Sequence, residues 1–552
     1  MFGRKPKTSE KAAAPSLDGH QYVTGFRLVI LFSALALNAI IIVLYTSVLG
    51  TATPSITTYF GTLEDVDWYS TAYLLLMCAF QPVTGQIYSV FRVKSTFLTF
   101  LSIVAVGTLI SALAKSSVAF IAGRAVAGLG AAGLFNGSSV MIVAAVAPHL
   151  RAQLLSLASI LVGFGAVAGP LVGGTITEHL GWRWCIWVFL PPIGAIAFIF
   201  LTQRIPEQVE KAPALSVVRQ IHRKLDLVGL TLFVPACTML MLAISWGGTK
   251  YAWKSATIIA LLVVSMVVFG VFLGWISYYK ERSLIPPSIM MKPVVFCACL
   301  TAFFEGGAYL MIQWYLPLWF QVVKGAGPEK SGVMSLPTCI TWIVTGVFCT
   351  LLLKTIPYAP VWALAGHAAT AIGSGLMTTF TPSTSSGEWI GYQILAGTGR
   401  GIAMQMPLLA VQSYLPADEF PYANANILFF QYFGGTIVNC MAKTVFINGL
   451  RSALAEFAPH VDAQKVVQSG ATEIFRLVAP EDVQGVVLAY NQALAQTFWL
   501  PTACAILGAF STLGLGWHKI GGEKKVKEVE AVVGDKSVDG SVDEKSAELK
   551  TV

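Results

Sequence analysis

The feature that most constrains this chain is a succession of long apolar stretches, about fourteen of them, each near the roughly 20 residues that carry an α-helix across a bilayer. They cover residues 28–50, 68–88, 95–114, 118–146, 154–177, 184–203, 226–246, 255–276, 294–323, 332–353, 358–379, 389–412, 421–448 and 498–517, and those beginning at 294 and 421 look broken. Backbone in hydrocarbon must satisfy its own hydrogen bonds, so such runs fold as helices; the strands of a membrane barrel would be shorter and would alternate. Only 12% of the 552 residues are charged and 55% are apolar, with a mean hydropathy of +0.69. That leaves too little polar surface for a water-soluble fold of this size, and the expected class is an all-α polytopic membrane protein in contact with the lipid bilayer.

The net charge of +8 lies in the connections rather than on one face, so it implies no nucleic-acid partner. The first apolar run is too long for a signal-peptide core and lacks a small-residue cleavage site, which reads as a retained span. Most Lys and Arg of the connections, including Arg92, Lys94, Arg151, Arg219, Arg223 and Lys224, fall on one side when the N-terminus is placed in the cytoplasm. The positive-inside rule then puts both termini in the cytoplasm, with Asp418 and Glu419 as a local exception. Residues 1–27 form a polar N-terminal tail, 204–225 a basic cytoplasmic linker, 449–497 a long outer loop, and 519–552 a mixed-charge tail expected to be disordered. The nine cysteines include no CxxC pair, and no two histidines have metal spacing, so neither a disulfide framework nor a metal site is expected. A faint repeat relates Ala127, Gly128 and Gly130 to Ala396, Gly397 and Gly399.

Signatures of enzymes are missing. GLGAAG at Gly128 to Gly133 fits GxGxxG but sits inside an apolar span with no preceding strand, and there is no P-loop to bind ATP. No catalytic residue and no cofactor are expected. The informative residues are the charges inside the spans, because each is costly there. Arg124, Glu305, Arg400 and Lys443 are such charges; Lys443 reads as snorkelling from a helix end. Arg400 fits a cavity or a structural pair equally. Arg124 is followed by Gly128, Gly130 and Gly133, which let its helix pack closely while the guanidinium turns inward. Glu305, in FFEGGAY, fits either a proton carrier or a carboxyl paired with an arginine. In the fifth run, Gly165, Gly169 and Gly173 recur every four residues beside Pro170 and Gly174, a pattern for close helix packing with a proline kink.

The strings GAVAGPLVGG and GRAVAGLGAAG resemble the antiporter motif and the fourth-span arginine motif of the major facilitator superfamily. WYSTAYLLLMCAFQPVTGQIYSVFRVK at 68–94, GWRW at Gly181 to Trp184, and LPLWFQVVKGAGPEKSGV at 316–333 are similar to its fungal fourteen-helix drug:proton antiporter branch, which includes mycotoxin and multidrug efflux pumps. The resemblance spans nearly the whole chain outside the tails. It implies a major facilitator fold with 14 transmembrane helices: six-helix halves at 28–203 and 294–518 and an inserted pair at 226–276. It also implies a gate loop in which Gly85, Arg92 and Lys94 latch the cytoplasmic side, although Ser89 stands where an acid is expected. Many members carry an Asp nine residues before the proline that ends the first span; here that position is Tyr45.

The function this resemblance implies is proton-coupled efflux of a small organic compound, such as a toxin, secondary metabolite or drug, by alternating access in a monomer. The cavity is expected to be lined by Arg124, Glu305, Arg400, Tyr309, Trp314, Tyr315, Gln405 and Gln412. A proton-coupled siderophore importer or an uncoupled facilitator are the alternatives within the fold, and a transporter-like receptor is the alternative of another class. The plasma membrane is the expected location, with a vacuolar or vesicular membrane as the alternative.

Overall fold

The computed structural model describes residues 22–61, 65–207, 211, 225–248, 251–468 and 478–520; the expected tails and most of the expected linker lie outside these. Among the described residues there is no strand, and extended pairing is limited to two isolated bridges, Gly247 with Tyr251 and Tyr358 with Lys519. The first helices are α1 (Gly25–Phe60), α2 (Val66–Ala79), α3 (Gln81–Val90), α4 (Val93–Leu113), α5 (Ser117–Ala145), α6 (Pro148–His179), α7 (Trp184–Trp187) and α8 (Leu190–Thr202). Next come α9 (Leu227–Trp246), α10 (Ala256–Tyr279) and the short α11 (Pro287–Met290). The remainder comprises α12 (Pro293–Val322), α13 (Pro328–Met334), α14 (Leu336–Leu352), α15 (Ala359–Met377), α16 (Ser386–Ala403), α17 (Met406–Tyr414), α18 (Phe420–Phe457), α19 (Ala463–Gln468), α20 (Val483–Thr497) and α21 (Trp499–Thr512). Among the described residues, ten helical stretches are long and apolar enough to cross a membrane, and the expected runs outside those ten fall on α2–α3, α6, α15 and α18.

Proline decides where several apolar runs divide. Pro82, Pro191, Pro337 and Pro407 lie in the first turns of α3, α8, α14 and α17, where a missing N–H costs nothing, so each of those runs becomes two consecutive helices. The runs at 294 and 421 are not broken. α12 continues through Pro317 and α18 is a single helix of 38 residues. The glycine pairs that interrupt their apolar pattern are packing contacts: a side chain at Gly306 would strike the Gln431 backbone, and one at Gly434 would strike Phe303. α6 likewise stays one helix through Pro170.

The expected outer loop at 449–497 is largely helical. α18 extends to Phe457, and α20 joins α21 in one apolar stretch, Val483–Thr512. Val486, Ala489, Tyr490, Ala493 and Leu494 are buried at helical spacing, and α20 packs on α18. Polar residues dilute its hydropathy, but Asn491 is fully employed: Oδ1 accepts from Trp319 Nε1 at 2.9 Å and Nδ2 donates to the Phe380 carbonyl at 2.8 Å.

Packing separates the helices into two bundles. In one, α1 packs on α6 and α5 on both α2 and α4; in the other, α18 and α21 pack on α12, and α16 on α14 and α15. The bundles meet where α3 lies on α18 and α6 on α14. α9 and α10 pack on each other and touch the rest through α2 and α18. The short sequence repeat has a structural counterpart. A side chain at Gly128 would meet the Tyr73 carbonyl of α2 and one at Gly130 would meet Val104 of α4; at Gly397 it would meet Thr338 of α14, and at Gly399 Thr370 of α15. Small residues therefore allow the same three-helix contact in each bundle.

Candidate functional site

Arg124 and Arg400 are both buried, in different surroundings. Arg400 Nη1 lies 2.6 Å from Glu305 Oε1, an ion pair whose side chains are 9% and 7% exposed. Gln431 Nε2 donates to the other carboxylate oxygen at 2.8 Å. The guanidinium also covers aromatic faces, with its carbon 3.2 Å from the Tyr309 ring centroid and 4.4 Å from that of Trp342. Four helices therefore meet at this ion pair: α12 supplies Glu305 and Tyr309, α14 Trp342, α16 Arg400 and α18 Gln431.

Arg124 has no carboxylate partner among the described residues. Its Nε donates to the Tyr69 carbonyl at 2.9 Å, and its guanidinium carbon sits 4.5 Å from the Tyr45 ring and 4.6 Å from the Tyr73 ring. Both terminal nitrogens, like the Tyr45 hydroxyl, are buried without a hydrogen-bond partner among the described residues. Tyr45 also packs edge-on against Phe189 at 5.0 Å. Thus an aromatic ring stands beside the arginine at the position where the resemblance implies an acid. Tyr432 of α18 reaches the first bundle, packing edge-on against Phe135 of α5 with ring centroids 6.0 Å apart.

The remaining expected cavity residues divide. Trp314 is 63% exposed and does not join the cluster, because it falls on the outward face of α12. Tyr315 is buried but packs on Phe446, away from Glu305. Gln405 is buried beside a small void shared with Ser156 and Trp342, and Gln405 Oε1 and Gln412 Oε1 have no partner among the described residues. Gly165 and Gly169 face α1, where added side chains would meet the Ile40 carbonyl at 2.7 Å and Ser47 respectively. The Gly173 carbonyl accepts from Thr177 Oγ1 at 2.6 Å, and Gly174 faces open space.

Of the gate-loop residues, Gly85 alone touches the other bundle: a side chain there would come within 2.9 Å of Ala425 Cβ and the Pro421 carbonyl. Arg92 is exposed, and Lys94 Nζ donates to the Leu201 and Gln203 carbonyls at 3.1 and 2.7 Å, within its own bundle. The Cys78 thiol reaches the Phe429 carbonyl of the other bundle at 3.9 Å. Asn424 Nδ2 also donates across the bundles to Asn136 Oδ1 at 2.8 Å, and Asn136 Nδ2 donates to Thr84 Oγ1 of its own bundle at 2.9 Å and to the Pro421 carbonyl of the other at 3.4 Å. At the same corner Glu207 Oε1 accepts from Val93 N at 2.7 Å, and Lys211 Nζ donates to the Tyr88 carbonyl at 2.6 Å. These two caps suit the polarity of a helix start and a helix end. Burial pushes the Lys211 ammonium below its usual range, opposed by Glu207.

Two helical bundles with a matching internal contact, each holding a buried arginine among its own helices, are the architecture of a membrane transporter. The sequence comparison gives the family. Residues 35–438 match the Major Facilitator Superfamily, and the chain belongs to it. It is 39% identical to the MFS-type transporter pigP of Monascus ruber, over 93% of this chain and 90% of that protein. It is 38% identical to the efflux pump mlcE of Penicillium citrinum, over 91% and 92% of the two chains, and 35% identical to the MFS-type efflux pump MFS1 of Trichophyton rubrum, over 94% and 96%. The fold resembles that of the proton:xylose symporter XylE, with a TM-score of 0.58 at 14% identity, covering 92% of this chain and 98% of that one. It also resembles a bacterial homologue of the human lysosomal transporter Spinster, with a TM-score of 0.52 at 15% identity over 89% and 98%.

Proposed function

We propose that this transporter exports a small organic compound from the cytoplasm by alternating access, exchanging it for protons. In this reading the chain has fourteen spans: two six-helix halves at 28–203 and 294–518, and an inserted pair at 226–276. Both termini lie in the cytoplasm, and the protein works as a monomer in the plasma membrane. The observation that carries the coupling is the Glu305–Arg400–Gln431 cluster, a buried carboxylate held by one cation and one amide. Protonation of Glu305 would release Arg400 and weaken the tie between α12 and α16, and deprotonation would restore it. The efflux direction rests on the relatives named as efflux pumps. Because Tyr45 supplies no carboxylate beside Arg124, Glu305 bears the coupling alone.

The experiment is transport by proteoliposomes under an imposed pH gradient, with proton and cargo flux measured together for labelled acidic, neutral and basic aromatic compounds. Gradient-driven flux is expected in the wild type, and Glu305→Gln should lose the drive while keeping passive exchange. Undiminished proton-driven flux in Glu305→Gln refutes the assignment. A wild type indifferent to pH is a facilitator, the reading favoured if the Glu305–Arg400 pair never opens.

A further inference from the structure

A buried guanidinium in a membrane protein cannot shed its charge as a lysine or carboxyl can, so its environment has to supply compensation. Arg124 is 1% exposed and receives one backbone carbonyl and two aromatic faces, but no anion among the described residues. The second bundle shows what the fold alone requires at this position. Gln393 precedes Gly397 by the same four residues that separate Arg124 from Gly128. Gln393 Nε2 donates to the Met334 carbonyl at 3.0 Å, and Met334 stands four residues before Thr338, as Tyr69 stands before Tyr73. Thr338 Oγ1 then donates to Gln393 Oε1 at 3.0 Å, so this amide is paired at both ends. One neutral side chain reaching one carbonyl is therefore enough to hold the contact, and the positive charge of Arg124 is surplus to packing.

Three donors without an acceptor among the described residues remain in one cage: the two terminal nitrogens of Arg124 and the hydroxyl of Tyr45. Two parallel N–H groups on a planar cation match the two oxygens of a carboxylate, which a hydroxyl donor completes. The cage also borders the seam, because α2, which carries Tyr73, touches α18 of the opposite bundle. By contrast the cation of the second bundle is already neutralised by Glu305. We infer that Arg124, Tyr45 and Tyr73 form the recognition site for a carboxylate on the transported compound, which makes the cargo class organic acids with an apolar body. This rests on the reading of the chain as an organic-compound transporter and adds the charge of its cargo.

The test measures binding without a gradient, so that its failure and the failure of proton-driven export are separable. The purified full chain in detergent is dialysed against labelled 1-naphthoate and against 1-naphthamide, which share ring and size and differ in charge. The acid is expected to bind at least about tenfold more tightly. Arg124→Gln, which places in the first bundle the side chain already accommodated in the second, should stay folded and erase the preference. Arg124→Lys should retain part of it, and Tyr45→Phe should reduce it several-fold. Equal binding of acid and amide, no binding of the acid, or a preference that survives in Arg124→Gln overturns the inference. Displacement of naphthoate by equimolar chloride overturns it in favour of an inorganic anion.

Discussion

Separating the partners of the Glu305–Arg400 pair should give two variants that differ in how their stability depends on pH. Arg400→Gln leaves Glu305 buried with the Gln431 hydrogen bond as its one strong support. The carboxylate can escape by taking up a proton. From an ordinary glutamic acid value of about 4.3, that costs about 4 kcal/mol at pH 7 and about 1 kcal/mol at pH 5, which caps the penalty. Glu305→Gln instead leaves Arg400 charged at every accessible pH, resting on the rings of Tyr309 and Trp342. Those faces return about 2 kcal/mol against the roughly 3–5 kcal/mol expected when a buried pair loses one partner. The net cost is therefore about 1–3 kcal/mol and flat with pH. The double variant Glu305→Gln/Arg400→Gln leaves no orphan charge and should fall well short of the sum of the two. Unfolding of the purified protein by SDS titration at pH 5 and pH 7 reads all of these values. A penalty for Arg400→Gln that does not shrink at pH 5, or strict additivity in the double variant, would refute the argument that the pair stands alone in a poorly solvated site.

Gly169→Leu should abolish transport while leaving most of the protein in the membrane, because the new side chain runs into Ser47 of α1 where two helices pass in contact; normal flux would show that this contact does not move. Asp226→Asn should loosen α9 and α10, since the Asp226 carboxylate accepts from Gly229 N, Trp275 Nε1 and Leu284 N, and an amide turns a donor toward one of them. The cost is about 1–3 kcal/mol and should appear as faster limited proteolysis around residues 225–284, with unchanged cleavage counting against this role.

The helical class and the ten long apolar helical stretches among the described residues were legible because hydrocarbon permits so few backbone solutions, and the runs are long and uncut by charge. What misled was reading interruption and dilution literally. Glycine pairs at 306 and 434 look like breaks yet are the points where α12 and α18 touch, and the amide-rich α20 looks like a loop yet buries one face. At the site, Arg124, Glu305 and Arg400 were visible as expensive charges. Their partners were not, since Gln431, Trp342 and Tyr73 carry no formal charge and lie far from them in sequence. One signal existed in retrospect: Gln431 sits in FFQYFGG, flanked by aromatic and glycine residues much as Glu305 is in FFEGG. Trp314 was misplaced because aromatic residues suit a cavity and a lipid face equally, and only helix rotation separates the two.

Asp226 gathers the start of α9, Trp275 near the end of α10 and the turn at Leu284, while its own N–H donates to Gln86 of α3 at 3.1 Å. Gln86 in turn donates to the Arg282 carbonyl at 3.3 Å. The outer face of α10 is bare aliphatic surface, with Val263, Met266, Val267 and Val271 each more than half exposed. A helix with a bare aliphatic face is thus hydrogen-bonded, through Asp226, to the helix that lies on α18. A disturbance of that bare face is therefore carried by hydrogen bonds, through Asp226 and Gln86, to the seam between the two bundles.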